Sequence, residues 1–363
     1  GWLVSLVSAR MKGRSFASVI ASLVFLGAYF FFYLQINKFT QALVNSSSAM
    51  GDWIHRFLPP LYFIGLAHTG DLKGVILGLL TIALIFGVIY YVLSRTFRGV
   101  VINASKTVSR KVGNGVLRTG SASQVLLKKE MRRFTSSTTY MMNCGLGSVF
   151  MLVFAVAAII KKNVVVGIPG ILEQVFGHGH DFMIGILAVL IFLMVSTCYY
   201  TMPSISLEGK SMWLLQSLPV DPMKVFMAKI KMEYILCVPG VLIFSATVAA
   251  VTKMPFLGWA AVLLPCLAYI TFTAFFGLWI NMKRPSFDWT NETYPIKQGL
   301  NPLICLFGEW LLALALGAVF VLTRGFLPAE LYLVLVALVL LAVSFVFYRW
   351  LAGKGREKFC YMQ

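Results

Sequence analysis

Apolar residues occur along this chain in long unbroken runs separated by short polar segments, a pattern of neither half-buried strands nor one-sided surface helices. Eight runs are long enough to cross a bilayer as helices: roughly 15 to 36, 74 to 93, 138 to 160, 182 to 203, 233 to 252, 256 to 280, 302 to 323 and 330 to 350. The expected fold is an all-α polytopic membrane bundle of about eight transmembrane helices. Basic residues divide unequally between the connections. With residue 1 in the cytoplasm, the cytoplasmic segments 1 to 14, 94 to 137, 204 to 232, 281 to 301 and 349 to 363 carry 24 Lys and Arg, against 7 on the opposite side. The positive-inside rule therefore orients the chain as a multi-pass protein with both termini cytoplasmic.

Composition agrees with that pattern. The chain is 59% hydrophobic and 12% charged, with a mean hydropathy of +0.83, outside the range of soluble domains. A net charge of +18 would suit nucleic acid if the 31 Lys and Arg formed one soluble stripe. They lie between apolar runs instead, so charge reports topology and no nucleic-acid partner is expected. The six cysteines, Cys144, Cys198, Cys237, Cys266, Cys305 and Cys360, form no CxxC pair and read as free thiols. No signal peptide is recognisable near Gly1, and the chain is expected to begin mid-protein.

The connections carry their own signals. Residues 94 to 117, with Gly113, Gly115 and many Ser and Thr, read as a basic cytoplasmic linker. Residues 124 to 134 read as an interfacial helix, with Leu127, Met131 and Phe134 on one face and Lys128, Lys129, Arg132 and Arg133 opposite, facing anionic lipid headgroups. In SLPVDP, Pro219 ends one helix, and Asp221 followed by Pro222 caps the next. The first of these, about 205 to 217, places Trp213 and Leu214 on a short helix that needs a partner. A coarse repeat makes 1 to 93 the last two spans of an N-terminal bundle, with sequence missing ahead of Gly1, and 118 to 363 a complete six-span bundle.

Candidate chemistry is sparse. LEGKSMW ends like a phosphate-binding loop, but Ser204 stands where that loop needs its first glycine, and an apolar span precedes it rather than a buried strand. GHGHD presents His178, His180 and Asp181 without a third nitrogen or sulfur ligand, which reads as a solvated outer loop. HExxH and GxSxG are absent, and no catalytic, cofactor or metal residue is assigned. Glu309, in FGEW, lies roughly 10 Å into the seventh run. It is either a functional intramembrane acid or an interfacial one paired with a basic neighbour. The loop 281 to 299, with Asp288, Trp289, Asn291 and Glu292, is a solvated turn or a docking site.

Three segments in order, LLKKEMRRFTSS, SISLEGKSMWLLQSLPVDPMKVFMAKI and KRPSFDWTNETYPIKQG, resemble the permease subunits of bacterial type-2 ATP-binding cassette (ABC) exporters, in particular the long two-half permeases. The resemblance implies an elbow helix at 124 to 134 on the inner membrane surface and a coupling helix at 205 to 217. Glu208, Gly209, Lys210, Trp213, Leu214 and Leu218 would be the ATPase-coupling residues. It also implies a separate ABC ATPase partner that binds ATP and Mg, no enzyme activity in this chain, and a place in the bacterial cytoplasmic membrane exporting a hydrophobic or amphipathic substrate. The rival readings are an ATPase-independent, proton-coupled secondary transporter using Glu309, and a membrane scaffold or sensor using its basic 94 to 137 stretch.

Overall fold

The computed structural model describes residues 59–68, 72–105 and 120–362, with isolated positions between 19 and 56. The chain divides into two compact units, Gly1–Val116 and Leu117–Gln363. In the first, α1 (Pro59–His68) packs on α2 (Leu72–Ser105), whose window from Leu72 to Arg95 is apolar on nearly every side. Half of the expected span at 15 to 36 falls outside the described residues. The expected linker is shortened, because α2 meets no proline and continues helical to Ser105.

The second unit opens with α3 (Ala122–Ser136). Ser121 caps it reciprocally: its Oγ accepts from the Gln124 N–H at 3.4 Å, and Gln124 Oε1 accepts from the Ser121 N–H at 3.3 Å. Next come α4 (Thr138–Cys144) and α5 (Leu146–Ile160), one expected span broken at Gly145 by a 55° bend. The amphipathic α6 (Lys162–Phe176) turns Val165, Ile168 and Leu172 toward the core, and Gly177, at φ +75°, ends it in the left-handed region. The chain returns through α7 (Gly179–Ser196), earlier in its ending than the expected 203, and enters an irregular buried segment.

A 3₁₀ turn (Ser206–Ser211) and α8 (Met212–Gln216) replace the single helix expected at 205 to 217. The break is Gly209, at φ +54° and ψ −142°, a conformation that a side chain would strain. The remaining spans are α9 (Pro222–Thr252), α10 (Phe256–Lys283), α11 (Leu300–Thr323) and α12 (Ala329–Trp350), followed by α13 (Arg356–Tyr361). Asp221 caps α9 through the Met223 N–H at 2.9 Å, so this helix starts eleven residues before the apolar run that announced it.

Solvent explains the distribution of side chains. Leu303, Phe307, Leu311 and Leu314 of α11, and Leu338, Val339, Phe345 and Val346 of α12, are exposed, whereas Ser196, Glu233, Thr273, Glu309 and Ser344 are buried. Apolar outside and polar inside is the arrangement a hydrocarbon solvent selects. Among the described residues six helices are long and apolar enough to cross a membrane, and the bent α4–α5 pair makes a seventh. At the centre stands α10, 72% of whose apolar window is buried, packed against α7, α9, α11 and α12.

Close helix approach rests on Gly147, where a Cβ would collide with the Met194 carbonyl, Thr197 Oγ1 and Cys198 Sγ at the end of α7. Gly147→Leu is expected to cost about 1–3 kcal/mol, read as earlier thermal unfolding in detergent. Gly167→Ala on α6, with nothing within 4 Å of its Cβ, serves as the neutral control. Equal unfolding temperatures for Gly147→Leu and the wild type would contradict this packing.

Candidate functional site

The most densely bonded place in the second unit lies at the end of the bundle that carries α3, α8 and α13. Residues 200 to 209, between α7 and α8, contain no regular helix longer than a turn, yet all are buried. Their backbone polar groups therefore need partners from neighbouring elements. Asn281, near the end of α10, supplies two: its Oδ1 accepts from the N–H of Ile205 at 2.8 Å and of Ser206 at 3.0 Å. Its Nδ2 donates to Ser206 Oγ at 2.7 Å, which also accepts from the Ser286 N–H at 2.9 Å. Trp289 donates from Nε1 to the Ser206 carbonyl at 2.7 Å and lays its ring on Gly209, where a Cβ would stand 3.1 Å from the indole.

Beneath this segment sits an ion cluster. The Glu208 carboxylate, 4% exposed, accepts from Lys129 Nζ at 2.9 Å on both oxygens, from Arg133 Nη2 at 2.6 Å and from Lys229 Nζ at 3.2 Å. Lys229, on α9 and 0% exposed, also donates to Glu130 Oε1 and to the Ser204 carbonyl, both at 2.9 Å. Three elements thus converge: α3 brings Lys129, Glu130 and Arg133, the 3₁₀ turn brings Glu208, and α9 brings Lys229. Burial alone would raise the Glu208 carboxyl, but Lys229, Arg133 and Lys129 outweigh it and hold the group well below the usual carboxylate range. Burial also lowers the Lys129 ammonium against the pull of Glu208. For Arg133 burial works downward too, and the hydrogen bond and charge of Glu208 overcome it and raise the guanidinium.

This geometry changes several expectations. The interfacial face of α3 is not uniformly cationic, since Leu126, Glu130 and Phe134 are buried and Lys129 and Arg133 turn inward to Glu208. Only Lys128 and Arg132 of the four remain exposed there. Glu208 and Gly209 are interior residues, because the turn they occupy is roofed by Trp289 and rooted on Lys229. Lys210, Trp213, Leu214 and Leu218 are exposed, the last three at 66%, 53% and 44%.

The exposed tip is firmly seated. Met212 and Leu215 of α8 enter a small apolar core with Ile205, Phe226, Met282 and Phe359. Gln216 Nε2 donates to the carbonyls of Phe359 at 2.7 Å and Met362 at 2.8 Å, and Arg356 pairs with Asp221. Within the 281 to 299 loop, Trp289 is consumed internally and Glu292 accepts from Ser137 Oγ at 2.6 Å. Asp288 and Asn291 are exposed, the latter accepting from the N–H and Oγ1 of Thr293 at 2.9 Å each.

Two acids lie inside the spans. Glu309, 1% exposed on α11, has no hydrogen-bond partner on either carboxyl oxygen among the described residues, and no basic side chain pairs with it. Glu233 escaped the sequence reading because its apolar run seemed to begin there. The Asp221–Pro222 cap was the available signal, placing Glu233 about three turns inside α9. It is 0% exposed and accepts from the Thr201 N–H at 3.1 Å and Thr273 Oγ1 at 3.0 Å. At the far end of the bundle His178 and His180 are exposed, while Asp181 is held by Arg324.

Long helices that are apolar outside and polar inside define a polytopic helical membrane protein. A family described as membrane protein of 12 TMs matches residues 2–350, and this chain belongs to it. No curated protein and no solved structure matches the chain.

Removing one member of the joint leaves the others charged and dry. Lys229→Met is expected to cost about 3–5 kcal/mol, seen as a lowered thermal midpoint in detergent, whereas exposed Lys128→Met changes it little. Because the folded-state pKa of Glu208 lies below its unfolded value, its stabilisation is complete above about pH 5 and is lost as pH falls below about 4. Glu208→Gln should flatten that acid limb of the stability profile. A limb of unchanged steepness would remove Glu208 from the account.

Proposed function

We propose that this chain is the membrane subunit of a bacterial ABC exporter, moving a hydrophobic or amphipathic substrate and driven by a separate ATPase that binds ATP and Mg. One observation carries the reading. A five-residue helix, α8, presents Trp213 and Leu214 to solvent, with Leu218 just beyond it, while its root is fixed to α3, α9 and the α13 tail by buried ion pairs and apolar contacts. An exposed aromatic tip without such a root would absorb a push by local bending. With it, force applied at Trp213 reaches α9 and α10 as rigid bodies and biases the two access states of the pathway. Lys210, Trp213, Leu214 and Leu218 form the docking surface in this reading. Glu208 and Gly209 set its angle from below rather than touching the ATPase.

The charge asymmetry of the connections supports a cytoplasmic position for this tip and for both termini, in the bacterial cytoplasmic membrane. The chain itself hydrolyses nothing in this scheme. The resemblance of the 126 to 299 segments to type-2 exporter permeases supports the same assignment.

A second reading, a proton-coupled secondary transporter, draws on Glu309, whose carboxyl is buried without a hydrogen-bond partner among the described residues. Intramembrane acids of that kind mark proton or cation pathways in transporters.

The tagged chain, purified from its source membrane, is expected to retain an ATPase subunit bearing Walker motifs. Trp213→Asp combined with Leu214→Asp should release it without changing thermal unfolding. Retained ATPase and undiminished ATP-stimulated transport in that double variant would overturn the docking assignment. Purified chain in ATPase-free vesicles separates the second reading: uphill transport on a proton gradient, abolished in Glu309→Gln, would establish it in place of the first.

A further inference from the structure

A cavity at this end of the bundle lies apart from both the joint and the tip. A half-enclosed groove of about 350 Å³ lies between the ends of α10 and α11, lined by Trp279, Ile280, Lys283, Arg284 and Ile304. Its interior is apolar, and its mouth is cationic. Lys283 Nζ stands 4.9 Å from the ring centre of Trp350 and 5.9 Å from that of Trp279, so the ammonium is positioned by two indoles. The rings form a continuous aromatic wall: Trp279 lies 5.1 Å from Phe347, tilted against it, and meets Trp350 edge-on at 6.3 Å.

Neither the Lys283 ammonium nor the Arg284 guanidinium donates a hydrogen bond or joins an ion pair among the described residues. The carbonyls of both residues are occupied, by Lys358 Nζ at 3.0 Å and Asn301 Nδ2 at 2.7 Å, which fixes the backbone beneath them. This differs from Lys129, Arg133 and Lys229, whose charges are all met by carboxylates.

We infer that this groove binds an anionic phospholipid, with Lys283 and Arg284 on the headgroup phosphate and the start of an acyl chain against Ile280, Ile304 and Trp279. Three observations select that ligand. Both cations lie at the end of α10, an apolar helix long enough to cross a membrane. Tryptophans flank them, as at membrane–water interfaces. The pocket between helices has an apolar floor that a free phosphate cannot use and a phospholipid can, and basic pockets of this kind suit acidic headgroups. The site is independent of how transport is energised.

The test uses the full chain in detergent, offered phosphatidylglycerol and phosphatidylcholine in equal amounts and read by native mass spectrometry. Wild type is expected to retain phosphatidylglycerol preferentially. Lys283→Ala with Arg284→Ala, two exposed side chains whose loss leaves the backbone bonds intact, should weaken that retention about 30-fold, equivalent to about 2 kcal/mol. Lys283→Arg with Arg284→Lys should restore it. Ile304→Trp, which fills the groove and keeps both charges, should also reduce retention at unchanged thermal unfolding. Equal retention of the two lipids by wild type would overturn the inference. Undiminished phosphatidylglycerol binding in Ile304→Trp would do so too, since surface charge alone would then suffice. Displacement of the lipid by equimolar inorganic phosphate would reassign the groove to a free anion.

Discussion

A lysine with no exposed surface cannot remain charged unless anions and carbonyls surround it, and Lys229 meets that requirement with Glu130, Glu208 and the Ser204 carbonyl. Those three partners belong to two other elements. Satisfying one ammonium therefore fixes α3, the turn before α8 and α9 relative to one another. Such a cluster need not add net stability over an apolar replacement, because desolvation offsets most of the attraction. Its physical effect is to penalise other arrangements: sliding α3 by a turn along α9 would strand the buried Lys229, Glu130 and Glu208 without their partners.

Around that joint the neutral contacts take up the remaining backbone groups. Asn281 and Trp289 satisfy a segment that has no helix of its own, and Gly209 supplies a backbone angle that lets the indole close over it. The result is an unusual combination of a non-helical stretch that is fully buried and a short helix beyond it whose outer face is apolar and exposed. In a lipid-solvated protein exposed apolar residues on the spans are ordinary. Trp213 and Leu214 differ because their helix sits beyond the ion cluster, among charged connections, where lipid does not explain them.

Within the spans the same rule of satisfaction separates two acids. Glu233 accepts a backbone N–H and a threonine hydroxyl, and so ties the irregular segment after α7 and the middle of α10 to α9. Glu309 has neither among the described residues, so the two buried acids differ in how far their polar atoms are satisfied. The Lys283 groove inverts that imbalance, with two cations that meet no carboxylate among the described residues.

Run length and the partition of Lys and Arg determined from sequence alone that the chain is a multi-span helical bundle, because both follow from the cost of putting backbone and charge into hydrocarbon, residue by residue. Local capping chemistry was equally legible: Ser121 and Asp221 start helices for reasons contained within a few residues. The apolar tip at Trp213 and Leu214 could be named for the same reason. What only the tertiary structure decided is which charges are spent and which are free. Lys128 and Lys129 are neighbours of one chemical type, yet one is exposed and the other bonds Glu208, 79 residues away. Glu130 and Lys229 carried no local signal, since a charged residue near a span end has the same composition whether it faces water or an ion partner. Pairing across 75 to 99 residues depends on how helices cross, and crossing is a property of the packed bundle rather than of any stretch of chain.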